Sequence, residues 1–133
     1  MASAKRCVAL VQQLLDEAHA EGFPPGEAEL GHWPGPARAA WEVAPEPGVI
    51  VRLAGELITI LPLNEHPSEA DRIVDLAWIL QDFIVEYDWV HYEPIWPACV
   101  KHPHTHPLTA CVVDGLAVWI CPRNKSVIRP IEG

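Results

Sequence analysis

The sequence predicts an α+β fold, in which two amphipathic helices pack on a short antiparallel β-hairpin and a small β module follows at the C-terminus. Three observations lead to this fold class. Apolar residues recur at steps of three and four over residues 3–20 and 68–89, which is the helical period. Residues 48–63 hold two β-rich apolar runs around an Ala-Gly turn. Residues 96–122 hold three of the four cysteines and a second hairpin signal.

The first predicted helix, residues 3–20, begins at Ser3 as an N-cap and ends before Gly22. Cys7 belongs to its apolar stripe, so we expect it in the core. Residues 23–47 contain six prolines and predict a long connection, in which Trp33 and Trp41 pack against the rest of the fold.

The hairpin of residues 48–63 turns at Ala54-Gly55, and its two strands are almost entirely apolar. Such strands are typical of burial on both faces. Because two strands are not stable alone, we expect the helices to cover them.

The second helix, residues 68–89, carries the strongest helical pattern. Ser68 and Asp71 have the spacing of a capping box with the shorter acid. Trp78 and Ile79 lie outside the apolar stripe of this helix. They therefore predict a second apolar contact, either with the long connection or with a partner chain.

Charge and length restrict the function classes. The 133 residues suit one domain, or one domain with a small module, and we divide them into an acidic body, 1–95, and a module, 96–133. The net charge is −9, and residues 1–98 hold sixteen acids against five bases, which would repel nucleic acid. The remaining cations form only a thin patch: Lys101, Arg123, Lys125 and Arg129.

The sequence has no apolar run of eighteen residues and no continuous apolar signal core at its N-terminus. These features predict a cytoplasmic protein that does not enter membranes. In that compartment thiols stay reduced, so closely spaced cysteine and histidine indicate a metal site rather than a disulfide.

Cys99 and His102 have the C-x2-H spacing with which a tight turn directs a sulfur and a nitrogen at one ion. Cys121-Pro122 begins a similar turn at the far end of a predicted hairpin. Asp114-Gly115 is the hairpin turn, because a type I′ turn requires positive φ at both central residues. The mixed donors predict Zn²⁺, with iron as the second choice.

The hairpin register selects the fourth ligand. With residue 113 opposite 116 and 111 opposite 118, alternation places Cys121 on the same face as His106. His106 is therefore the predicted fourth ligand and His104, of the same parity, is the reserve. Cys111 points to the opposite face and is interpreted as a small buried hydrophobic residue.

Cys99-x2-His102 and Cys121-Pro122, joined by a hairpin, resemble a zinc ribbon of the rubredoxin-like class. The strings Trp-Pro-x-Cys, His-Pro-Leu and Ala-x-Trp-x-Cys-Pro are also similar to the tail of small proteins of unassigned function from GC-rich bacteria and their phages. That resemblance covers about a quarter of the chain. It implies Cys99, His102, His106 and Cys121 as metal ligands and a zinc-ribbon-like C-terminal module.

Two functions follow from these patterns. The first is a small interaction or adaptor protein with a structural zinc and a protein partner, and the resemblance relates it to phages. The alternative is a metal-dependent hydrolase or nuclease, in which His102, His104 and His106 hold a metal with an open position and Glu93 serves as general base. Cysteine ligands and the negative charge favour the first.

Overall fold

The computed structural model describes residues 4–32, 47–63, 65–87, 96–102 and 106–132. Over these residues the fold is α+β, with two helices and two antiparallel three-stranded sheets, as the sequence predicts for the fold class. The predicted cap Ser3, the tryptophans Trp33 and Trp41, the reserve ligand His104 and the proposed base Glu93 lie outside the described residues.

The first half of the chain contains helix α1 and the first sheet. Helix α1 spans Ala4–Ala20, and the sheet consists of β1 (Gly26–Gly31), β2 (Gly48–Leu53) and β3 (Glu56–Pro62), in the order β1-β2-β3. The central strand β2 is buried on both faces, as its apolar sequence predicts. The same prediction is wrong for β3, which lies at the edge of the sheet and is only partly buried. The α1 side chains of the apolar stripe, including Cys7, are buried, which confirms its place in the core.

One expectation for this half is wrong. Residues 23–47 were expected to form a connection without strands, but β1 lies within them and pairs along the whole length of β2. Its sequence, Gly-Glu-Ala-Glu-Leu-Gly, contains no β-branched or aromatic residue, so its strand character comes from that pairing and not from local propensity. The predicted hairpin is therefore a three-stranded sheet.

The second half contains helix α2 and the second sheet. Helix α2 spans Glu69–Tyr87, and β4 (Thr109–Val113), β5 (Leu116–Ile120) and β6 (Val127–Pro130) form a sheet in the order β4-β5-β6. The helix begins as predicted, because Ser68 Oγ accepts a hydrogen bond from the Asp71 backbone N–H at 3.1 Å. Asp114 and Gly115 have φ of 51° and 79°, which confirms the predicted turn.

Helix α2 contacts strands of both sheets and also α1, so it joins the two halves of the fold. The buried side chains form one cluster that extends from Leu14 of α1 through Val51 of β2 and Leu80 of α2 to Trp119 of β5. The division between residues 95 and 96 stays a prediction. Among the described residues, neither helix is long and apolar enough to cross a membrane.

Candidate metal centre

The first turn of the candidate site lies between α2 and β4. His102 donates its backbone N–H to the Cys99 carbonyl at 3.2 Å, which closes a tight turn and places the two side chains on the same side. The chain then returns, because Ala98 pairs with Pro107 in an isolated antiparallel bridge. Leu108 also donates its N–H to the Pro97 carbonyl at 2.8 Å. These contacts bring His106 back towards Cys99.

The second turn follows β5 and positions Cys121. The Cys121 N–H donates to the Ser126 carbonyl at 2.9 Å, and the Cys121 carbonyl accepts from the Lys125 N–H at 2.8 Å. Lys125 has a φ of 63°, which lets the chain reverse. Asn124 is three residues after Cys121, which is the position of the second cysteine in a zinc-binding turn of the C-x2-C type. Its side-chain oxygen instead accepts a hydrogen bond from the Ser126 N–H at 2.9 Å, so it stabilises the turn.

The two turns converge on one point. Cys99, His102, His106 and Cys121 each present a donor atom, and all four donors lie within 4.8 Å of one another. His102 Nδ1 lies 3.7 Å from Cys99 Sγ and 3.4 Å from Cys121 Sγ, while His106 Nε2 lies 3.8 Å from Cys121 Sγ. Bond lengths of about 2.3 Å to sulfur and 2.0 Å to nitrogen give sulfur–nitrogen separations of about 3.5 Å around a tetrahedral zinc. The three sulfur–nitrogen distances therefore match those around such an ion, and every other pair of donors lies within 4.8 Å.

The hydrogen bond of His106 fixes which of its nitrogens faces the cluster. His106 Nδ1 lies 3.1 Å from the Pro107 carbonyl oxygen, which can only accept, so Nδ1 carries the proton. Nε2 then has its lone pair free, and Nε2 is the atom that approaches Cys121. A hydrogen bond from the other ring nitrogen to a carbonyl is what orients many histidine ligands in metal sites. His102 presents the other type of nitrogen, Nδ1.

Hydrogen bonds and charge favour the metal-binding thiolate of Cys121, and burial and charge favour the neutral imidazole of His102. Burial raises the pKa of the Cys121 thiol, but the backbone N–H groups of Asn124 and Arg123, the Cys99 side chain and the charge of Lys101 lower it by more, so the net pKa is below the ordinary cysteine value. The pKa of His102 is lowered by burial and by the charges of Arg123, His106 and Lys101. A thiolate and a neutral imidazole are the species that ligate zinc.

The side chain of Gln81, on α2, ties the first turn to the core. Its amide Nε2 donates to the Trp96 carbonyl and to the Leu108 carbonyl, both at 2.9 Å. These two residues stand on either side of the segment that carries Cys99, His102 and His106. Glu21, just after α1, adds a third contact by accepting the Ala98 N–H at 2.9 Å. The segment is therefore held by a side chain of α2 and by a side chain that follows α1.

A buried tryptophan stands shortly before each of the two turns in the sequence. Trp96 and Trp119 are fully buried, and their rings meet edge to face with centroids 5.9 Å apart at 75°. Cys99 and Cys121, which follow them in the sequence, are also fully buried. His102 and His106 are only half-buried, so the imidazoles form the side of the cluster nearer to solvent.

The four ligands predicted from the sequence come together in the structure, and the predicted register, Val113 opposite Leu116 and Cys111 opposite Val118, is confirmed. Cys111 lies outside the cluster, as expected, but it is only half-buried, so its assignment as a buried hydrophobic residue is wrong. Sequence reasoning missed Gln81. The available signal was its helical spacing: Gln81 is uncharged and lies four residues after Ala77 and three before Ile84, so it stands beside the apolar stripe of the helix.

The fold and the site together define an α+β protein with a Cys2His2 donor cluster that could hold a metal ion. Comparison of the chain with protein-family models, with curated proteins and with solved structures gives no match. The zinc-ribbon resemblance and the similarity to bacterial and phage proteins therefore stay expectations.

Proposed function

We propose that this protein is a small interaction protein whose C-terminal Cys2His2 cluster binds a structural Zn²⁺. The observation that carries the metal assignment is the spacing of the donors, with sulfur–nitrogen distances of 3.4–3.8 Å contributed by two separate turns. Unrelated side chains that merely pack together have no reason to direct four soft donors at one point.

The donor set favours zinc. Two thiolates offset the charge of a divalent cation, and mixed sulfur and imidazole ligation in a tetrahedral arrangement suits Zn²⁺ better than the oxygen-binding cations. Iron would also accept such donors and is the competing metal.

A structural role follows from the number of protein donors. Four side chains fill the tetrahedral positions, so a bound ion would keep none for substrate or for an activated water. The ion would also join two turns. The first turn carries Cys99 and His102, and the second carries Cys121, which is 19 residues after His102. Since the unfolded chain would lack this cluster, metal affinity becomes folding stability.

The interaction role is supported by Trp78, whose side chain is 48% exposed on α2. A tryptophan at this exposure on a helix surface is typical of a contact residue, because the aromatic ring is the side chain most enriched at the centre of interfaces.

The test compares Cys121→Ser, just after β5, with Cys111→Ser, in the neighbouring strand β4, which is the same chemical change outside the cluster. We expect the purified protein to contain one zinc per chain by elemental analysis, and Cys121→Ser to lose it. At free zinc 1,000-fold above Kd, the ion stabilises the fold by about 4 kcal/mol, so Cys121→Ser should lower the free energy of unfolding by at least that amount. Cys111→Ser should retain the zinc and most of the stability.

Two results would refute the proposal. If Cys121→Ser lost the metal but had an unchanged free energy of unfolding, the metal would not be structural. If X-ray absorption showed a water oxygen in place of one of the four donors, the open coordination would favour the metal-dependent hydrolase or nuclease, with His104 and Glu93 as the residues to substitute next.

A further inference from the structure

A groove of about 470 Å³ follows one face of α2, and its lining includes none of the four residues of the metal cluster. The residues Asp71, Asp75, Trp78 and Asp82 all line it, and their steps of four, three and four place them in one stripe along the helix. Val74 and Ile79 also line it and are partly buried against the core. The groove thus combines an apolar surface with three carboxylates.

Trp78 is held in place within this groove. Its indole N–H donates to the Ala110 carbonyl of β4 at 2.8 Å, so the polar atom of the side chain is already satisfied. About half of the residue nevertheless remains exposed. A ring fixed in this way loses little conformational entropy on binding, which is the property of an anchor residue.

The charge of the groove is one-sided. No lysine or arginine is among the described residues that line it, and its single basic residue, His66, lies 3.2 Å from Asp75. Arg72, the nearest arginine in the sequence, lies outside the lining, 3.9 Å from Glu69. Asp82 is exposed and has no hydrogen-bond or ion-pair partner among the described residues. The net charge of −9 adds a long-range field that attracts cations.

We propose that this groove binds an arginine-containing cationic segment of a partner protein, with a guanidinium stacked on Trp78 and its charge directed towards Asp75 and Asp82. Arginine fits better than lysine, because the planar guanidinium stacks on an indole ring and pairs with a carboxylate through two parallel hydrogen bonds. The proposal gives a chemical class to the partner in the interaction role proposed above, on which it rests. It does not depend on the metal.

The experiment is a titration of the isotopically labelled, zinc-loaded full chain, followed by the backbone amide resonances. The probe is a short synthetic peptide of arginine and leucine, and the control peptide has citrulline, a neutral isostere, in place of each arginine. We expect the arginine peptide to shift the resonances of α2 around Asp75–Asp82 and to bind more weakly as salt increases. The citrulline peptide should bind at least about tenfold more weakly.

Variants then identify the groups involved. Trp78→Ala should weaken binding about tenfold, since it removes the ring on which the guanidinium stacks. Asp82→Lys, a surface change that leaves the core intact, should weaken it by a similar factor. Glu27→Lys makes the same charge change on β1, outside the groove, and should have less than about a twofold effect at physiological salt.

Several results would overturn the proposal. They are an absence of peptide binding, equal binding of the citrulline peptide, unchanged binding by both Trp78→Ala and Asp82→Lys, or an equal loss with Glu27→Lys. Shifts of the same α2 resonances with protein concentration alone would assign the groove to a second copy of the chain. A protein that binds the arginine peptide but no zinc would refute the metal assignment alone, and a zinc-loaded protein that ignores the peptide would refute the groove alone.

Discussion

Substitution of Gln81 by leucine is the sharpest test of how the fold supports the metal cluster. The change keeps the size of the side chain but removes both hydrogen bonds to the carbonyls of Trp96 and Leu108, each 2.9 Å long. A net value of about 1 kcal/mol for each bond gives a loss of about 2 kcal/mol in the free energy of unfolding. Because these carbonyls flank the segment that carries three of the four donors, part of this loss should appear as weaker zinc binding.

The expected reduction in zinc affinity is about tenfold, or about 1.4 kcal/mol of that loss, at the low end of the range for residues that orient metal ligands without touching the metal. Zinc affinity is measured by competition with a chromogenic chelator, and stability by thermal denaturation with and without zinc. Gln81→Glu should behave like Gln81→Leu, since a carboxylate cannot donate to either carbonyl.

Gln12 provides a matched control in the same fold. It is also a helix glutamine that bonds to backbone, donating to the Gly26 carbonyl and accepting from the Ala28 N–H, both at 2.9 Å, but its contacts are in the first sheet. Gln12→Leu should therefore lower stability by a similar amount and leave zinc affinity unchanged. If Gln81→Leu also left zinc affinity unchanged, Gln81 would be an ordinary core contact and the anchoring role would be refuted.

Two further predictions concern the helices. Ser68→Ala removes the N-cap hydrogen bond of α2. It should lower the free energy of unfolding by about 1 kcal/mol and Tm by about 4 °C. Ser68→Asp should restore most of this stability, and no recovery would argue against a capping role. In α1, burial raises the pKa of Glu17 more than Arg129 and Gln13 lower it, and its buried Oε2 has no hydrogen-bond partner. Because the folded pKa exceeds the unfolded one, ionisation of Glu17 lowers stability as pH rises through the folded pKa, and the penalty is absent below about pH 4. Glu17→Gln should therefore be more stable than the natural sequence at pH 7, by less than about 1 kcal/mol. In acid denaturation profiles this difference in stability should disappear towards about pH 4. A difference independent of pH would contradict this reasoning.

Local sequence chemistry determined much of this structure. The period of apolar residues defined both helices, since a helix must bury one face, and the Ser68 cap defined the start of α2. The Asp114-Gly115 turn fixed the register of the last hairpin, because its two positive φ angles permit one pairing. That register, through the alternation of side chains, placed His106 and His104 on the face of Cys121, and the structure brings His106 together with Cys99, His102 and Cys121.

Features that depend on distant parts of the chain required the tertiary structure. The segment Gly26–Gly31 has no strand propensity of its own and becomes β1 only because the buried strand β2 offers an unpaired edge. Gln81 resembles a surface residue until the carbonyls of Trp96 and Leu108 are brought to its amide. Sequence by itself thus determined the donors and the local turns that present them, through short-range sterics and periodicity. Only the packing of α2 against both sheets decided what holds those turns together, because such contacts join residues whose separation in sequence carries no local signal.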